Sequence, residues 1–86
     1  MKLEWDETKR AATLSARGLD FADVAKLDWD ASITKEDNRY GEPRFVSFAP
    51  LGGRLYSIAW CRRGDAMRVI SFRKANAREI RNYEQT

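Results

Sequence analysis

The sequence predicts an α+β domain of two N-terminal helices, an antiparallel four-stranded β-meander and a C-terminal helix. Three observations carry that expectation. Apolar residues recur at helical spacing as far as Leu27–Trp29 and then alternate with a period of two. Turn chemistry at Pro50-Leu51-Gly52-Gly53 and at Arg63-Gly64-Asp65 cuts the alternating stretch into hairpin partners. Asn76, with Glu79 three residues on, forms a capping box that opens a last helix. No repeat or linker interrupts the 86 residues, so residues 1–86 are expected to form a single domain.

The first helix is expected over Asp6–Arg17, with Asp6 and Glu7 at its positive end, Arg17 at its negative end and Gly18 past its last turn. A second short helix follows from Asp20, because Phe21, Val24 and Ala25 share one helical face. Ala31–Lys35 is a weak strand, followed by a polar loop, Glu36–Pro43. Arg44–Ala49 alternates clearly, with Phe45, Ser47 and Ala49 opposite Val46 and Phe48. In Arg54–Cys61, Tyr56, Ile58 and Trp60 point one way and Leu55, Ser57, Ala59 and Cys61 the other. Met67–Arg73 is the last strand, with Val69 and Ile70 buried on either side. The final helix runs from Asn76 to about Gln85, and Ala77, Ile80 and Tyr83 are its apolar edge.

Composition excludes several chemistries. The chain has one cysteine, Cys61, and no histidine, so it lacks the ligands of a zinc finger and the base of a Ser-His-Asp or Cys-His centre. Cys61 lies in a strand and reads as a small buried hydrophobe. A lone cysteine fits a reducing compartment, Met1–Asp6 lacks the apolar stretch of a signal peptide, and Phe45–Gly53 is too short to span a bilayer. A soluble, cytoplasmic domain is therefore expected. Asp28, Asp30, Glu36 and Asp37 match no metal-loop spacing, and neither a metal nor another cofactor is expected.

The net charge of +3 is unevenly spread. Residues 1–61 carry 9 Lys and Arg against 10 Asp and Glu, whereas residues 62–86 carry 7 against 3. Six of those seven late cations are arginine, whose planar fork binds phosphate in a bidentate manner. The skew points to a phosphate-bearing partner, with a solvated basic face as the plainer alternative.

RNA cleavage by an internal 2′-hydroxyl requires a proton acceptor, cations for the phosphorane and a proton for the leaving oxygen. Arg44, Arg63, Arg68, Arg73, Glu79 and Tyr83 are candidates for these tasks. In a regular strand Arg68 and Arg73, five apart, project from opposite faces unless a bulge intervenes. Arg73 is either a snorkelling edge residue or an inward-facing functional cation. Arg78, Arg81 and Gln85 make one stripe of the last helix, a solvated face or a binding ridge. Glu79 is also explained by its capping box, and Tyr83 by closing the core over the sheet. Of three tryptophans that could stack bases, Trp60 reads as core, whereas Trp29, between two aspartates, is the one expected to be exposed as a partner anchor.

The order of these motifs resembles the BrnT toxins. Trp5-Asp6-Glu7-x-Lys9, Gly18 with Phe21 and Ala22, Arg44-Phe45, Gly53-Arg54-Leu55, and Arg68-Val69-Ile70-Ser71-x-Arg73-x-Ala75 with Glu79 and Tyr83 carry the resemblance nearly end to end. It implies a RelE-like ribonuclease of a type II toxin-antitoxin system that cuts RNA and slows translation; the cleavage is expected to need no metal ion. It also implies a BrnA-type ribbon-helix-helix antitoxin as partner, a heterotetrameric complex, and DNA contact only through the antitoxin. Arg44, Arg73 and Glu79 match the family's polar positions around its proposed cleft, with Arg63 and Arg68 close by. Arg17, Arg78 and Arg81 complete the set expected to track RNA. Family members usually carry Lys-His-Gly where this chain has Ala16-Arg17-Gly18. That departure leaves open a second role, a non-enzymatic antitoxin-binding co-repressor.

Overall fold

A computed structural model describes residues 1–39 and 41–86; Tyr40, inside the expected polar loop, lies outside them. The expected arrangement is corrected in two places. One α-helix, not two, precedes the sheet, and the sheet has five strands of mixed direction rather than four antiparallel ones.

Strand β1 (Leu3–Trp5) leads into helix α1 (Glu7–Arg17), followed by strands β2 (Ile33–Asp37), β3 (Arg44–Leu51), β4 (Arg54–Arg63) and β5 (Ala66–Lys74), and then helix α2 (Ala77–Glu84). The strand order is β1-β5-β4-β3-β2. Strands β2 to β5 form successive antiparallel hairpins, while β1 lies parallel to β5 at the edge, Glu4 beside Arg68 and Trp5 beside Val69. Three residues give too short a run for alternation to register, and their partner lies more than sixty positions away. Local pattern cannot report such a pair.

The absent second helix has a clear physical cause. Phe21–Lys26 is a 3₁₀ helix, and a second 3₁₀ turn covers Trp29–Ala31. The buried residues are Phe21, Val24 and Leu27, at the spacing of three that a 3₁₀ helix repeats, while Ala25 is exposed. Asp20 caps the turn through Ala22 N–H, and Leu27 N–H bonds the Val24 carbonyl before the chain extends. Strand β2 also starts two residues later than expected and takes in Glu36 and Asp37.

Helix α1 forms where the sequence places it, since the Asp6 carboxylate accepts from Thr8 and Lys9 N–H and Gly18 adopts φ 69° past the last turn. It runs beside β5 and has no fully buried residue. The β3–β4 hairpin turns on Gly52 and Gly53 alone, with Leu51 paired to Arg54. Both glycines have positive φ, as a type I′ turn needs. Pro50 sits inside β3 at a point beyond the end of β2, where its missing N–H costs no ladder bond.

The sheet has two unlike faces. On one, Phe45, Ser47 and Ala49 of β3 align with Trp60, Ile58 and Tyr56 of β4, and these with Val69 and Phe72 of β5. The 3₁₀ helix caps this face with Phe21 and Val24, both wholly buried like Ile58. Buried Ser47 is satisfied: it accepts from Trp60 Nε1 at 2.8 Å and shares a hydrogen bond with Thr34 at 2.7 Å. Trp60 and Cys61 are buried as expected. Trp29 is corrected: it is half-buried, packs on the core and donates its indole N–H to the Val24 carbonyl at 2.9 Å.

Candidate functional site

The opposite, open face holds the predicted cations, and a β-bulge decides which of them share it. Ala59 pairs with Ser71 but Trp60 pairs with Val69, so Ile70 is an extra residue in β5. The bulge keeps both Val69 and Phe72 on the core face although they are three apart. It therefore also turns Arg68 and Arg73 to one face, the open one. They stand opposite Cys61 and Ser57, roughly 13 Å apart at about 3.3 Å per residue.

Arg44, paired with Asp37, lies on the same face one step past the Phe45–Trp60 pair, which brings it alongside Cys61. It is half-buried, and its charge helps hold the Asp37 carboxyl below the usual range, after the larger effect of Arg39. Arg63 pairs with Ala66 at the far hairpin and is exposed. Between Arg44 and Arg68 at one end and Arg73 at the other, the floor is made of Val46, Ala59 and Ser71, small and half-buried side chains.

Helix α2 crosses one end of the open face. Its N-terminus is built by the expected capping box: the Asn76 side chain accepts from Glu79 N–H, and Glu79 Oε1 accepts from Asn76 N–H, both at 2.9 Å. Glu79 is at the same time clamped by Arg73, whose Nη1 and Nη2 donate to Oε1 and Oε2 at 2.8 Å each. The Arg73 hydrogen bonds are the main cause that lowers the Glu79 carboxyl below its ordinary value, with the Asn76 N–H adding to them. Arg73 is raised in turn and stays charged. The fork fixes the guanidinium plane at the strand end.

Other candidates fall elsewhere or take structural roles. Arg68 donates to Glu4 Oε1 at 3.1 Å, a tie between β5 and β1. The Tyr83 hydroxyl donates to the Ala31 carbonyl at 2.5 Å and pins α2 to the second 3₁₀ turn. Arg17 is exposed at the end of α1. Arg78 is exposed on the flank of α2 that faces β2 and β3, and Arg81 is exposed but does not line that groove. Among the described residues, no three Asp, Glu or Cys side chains gather where they could hold a metal ion. Lys35 and Ser71 were not singled out by the sequence reading. Alternation in Ile33–Asp37 could have placed Lys35 on the open face, but Ser71 required the bulge.

A sheet with one sealed face and one framed by fixed guanidinium groups suits a ligand that carries phosphates. Comparison with known proteins gives the class. The family model for the ribonuclease toxin, BrnT, of type II toxin-antitoxin systems matches residues 5–79. The chain belongs to that family. No curated protein matches it significantly. Among the described residues, no helix is long and apolar enough to cross a membrane.

Proposed function

We propose that the chain cleaves RNA without a metal ion and that the open face is where the phosphate backbone lies. The observation that carries this reading is the placement of Arg44, Arg68 and Arg73 on one face around a floor of small side chains, with Arg73 locked by Glu79. The 2′-hydroxyl attacks the adjacent phosphorus and the P–O5′ bond breaks, leaving a 2′,3′-cyclic phosphate. Solvent takes the 2′-hydroxyl proton and a water protonates the departing 5′-oxygen, while Arg44 and Arg73 stabilise the charge that builds on the phosphorane. Glu79 orients Arg73 instead of taking the proton, because both its oxygens already accept hydrogen bonds and its acidity is increased. Arg63, Arg68 and Arg78 flank the path of the strand, and Arg17 and Arg81 add longer-range attraction.

The family supplies an antitoxin partner. We take it to be a BrnA-type ribbon-helix-helix protein that assembles with the toxin as a heterotetramer and alone contacts DNA, in the cytoplasm, where the free toxin slows translation. Induced expression should arrest growth, and Arg73→Ala should relieve the arrest. Purified protein should cut RNA in EDTA; a requirement for magnesium would sink the mechanism.

One observation favours a second reading. The chain has no histidine, and Arg17 stands where the family resemblance leads one to expect a histidine. An arginine stabilises phosphorane charge but is a poor proton acceptor near neutral pH. A non-enzymatic co-repressor would be harmless when expressed alone yet still co-purify with its antitoxin. The same growth assay separates the two.

A further inference from the structure

We propose that the groove between α2 and the β2–β3 edge is a nucleobase subsite, set beside the arginine-framed floor. This rests on the RNA reading above and adds where one base of a single strand sits. Phe48 and Ile33, both half-buried on the open face, form the bottom of the groove; Lys35 lies on the β2 side, and Glu79 and Asn82 on the α2 side. Arg78 lines its upper end.

What remains unused there decides the occupant. Two of the lining carboxylates are already engaged, Glu79 by Arg73 and Asp37 by Arg39. The groups with no side-chain hydrogen bond or ion pair among the described residues are Lys35, Arg78, the Asn82 amide and the carboxylate of Glu36, which stands opposite Phe45 and so on the other face of the sheet. An aromatic floor, a free amide and two flanking cations complement a nucleotide. The ring stacks a base, the amide bonds the base edge, and the cations meet neighbouring phosphates.

The subsite is continuous with the phosphate clamp. Phe48, Ser57 and Arg73 form one cross-strand row, so Phe48 and Arg73 lie roughly 10 Å apart at about 4.8 Å per strand. A phosphate at Arg73 and a base over Phe48 then belong to the same or adjacent nucleotides. Because Asn82 can address a base edge, the site should prefer some bases over others.

The test is binding of a 2′-O-methyl RNA tetranucleotide, which cannot be cleaved by its own 2′-hydroxyl, and of the same backbone with an abasic residue walked through each position. Phe48→Leu keeps the apolar volume and loses the aromatic face. It should weaken the intact oligonucleotide about 5- to 100-fold and leave binding of one abasic version unchanged. Asn82→Ala, at an exposed helical position, should narrow the differences among the four homopolymers. The subsite is refuted if Phe48→Leu is silent, or if it weakens intact and all abasic oligonucleotides alike. Arg73→Ala separates the two ideas: if it alone leaves binding intact, the phosphate reading fails while a base-selective loss in Phe48→Leu still upholds the groove.

Discussion

The two faces of this sheet are built from the same strands and are covered very differently. On the core face, alternate residues of β3, β4 and β5 are sealed under the 3₁₀ helix, and Phe21, Val24, Ile58, Val69 and Phe72 have at most 2% of their surface exposed. On the open face, Arg44, Val46, Phe48, Ala59, Arg68, Ser71 and Arg73 remain half-covered, although Leu55, Ser57 and Cys61 are buried, and the eight-residue helix across it buries none of its own side chains completely. If the proposed function holds, stability and chemistry are assigned to different sides of one backbone, and substitutions should sort by face.

The largest expected effect lies on the core face. Phe72→Ala should cost about 3–5 kcal/mol in a denaturant titration, a large share of the roughly 5–15 kcal/mol that holds such a domain together. A small loss would break the comparison, because it would mean that the sealed face does not carry the fold. Next comes Arg73→Ala on the open face, expected to lower the rate of RNA cleavage about 10²–10³-fold with little change in melting temperature. A collapse of the fold with that change would show that the Arg73–Glu79 fork is chiefly structural.

Ser47→Ala tests the polar bond within the core. It strands the buried Trp60 N–H, for an expected loss of about 1–3 kcal/mol and no effect on RNA binding. The smallest effect is with acid. Arg73 lowers the Glu79 carboxyl, Arg10 lowers Asp20, and Arg39 lowers Asp37. A carboxyl with a depressed folded-state pKa adds stability that is present above its ordinary value and lost as pH falls toward the folded one. The ordinary values are 4.5 for Glu and 3.8 for Asp, so melting temperature should hold from pH 7 to about 5 and decline below. Glu79→Gln should flatten part of that decline. With no histidine, the cleavage rate should also show no imidazole step near pH 6–7.

Several members of the candidate site could be named before the fold was known. Arg44, Arg73 and Glu79 were named from residue chemistry, and Glu79 was named again from the Asn76 capping box, a signal confined to four consecutive positions. Which arginines share a face could not be read. Strict alternation separates Arg68 from Arg73, and only the extra residue Ile70 reunites them. In hindsight Val69 and Phe72, three apart and both apolar, carried the trace of that bulge. Trp29 was misplaced because its flanking aspartates describe its neighbours in sequence, whereas its indole is engaged by Val24 and the core.

The sequence by itself determined what short-range chemistry can determine: where α1 and α2 start, where the two glycine-bearing hairpins turn, and which residues of β3 and β4 share a side. The tertiary structure alone decided the parallel pairing of β1 with β5, the 3₁₀ form of Phe21–Lys26 and the joint facing of the arginines. Each of these is a compromise with distant partners. Leu3 and Trp5 gain burial only against a strand at the other end of the chain, and Phe21, Val24 and Leu27 fit the sheet at a spacing of three. The β5 bulge exists because both Val69 and Phe72 must reach the core. Long-range burial sets these features, and local pattern does not contain the energies that fix it.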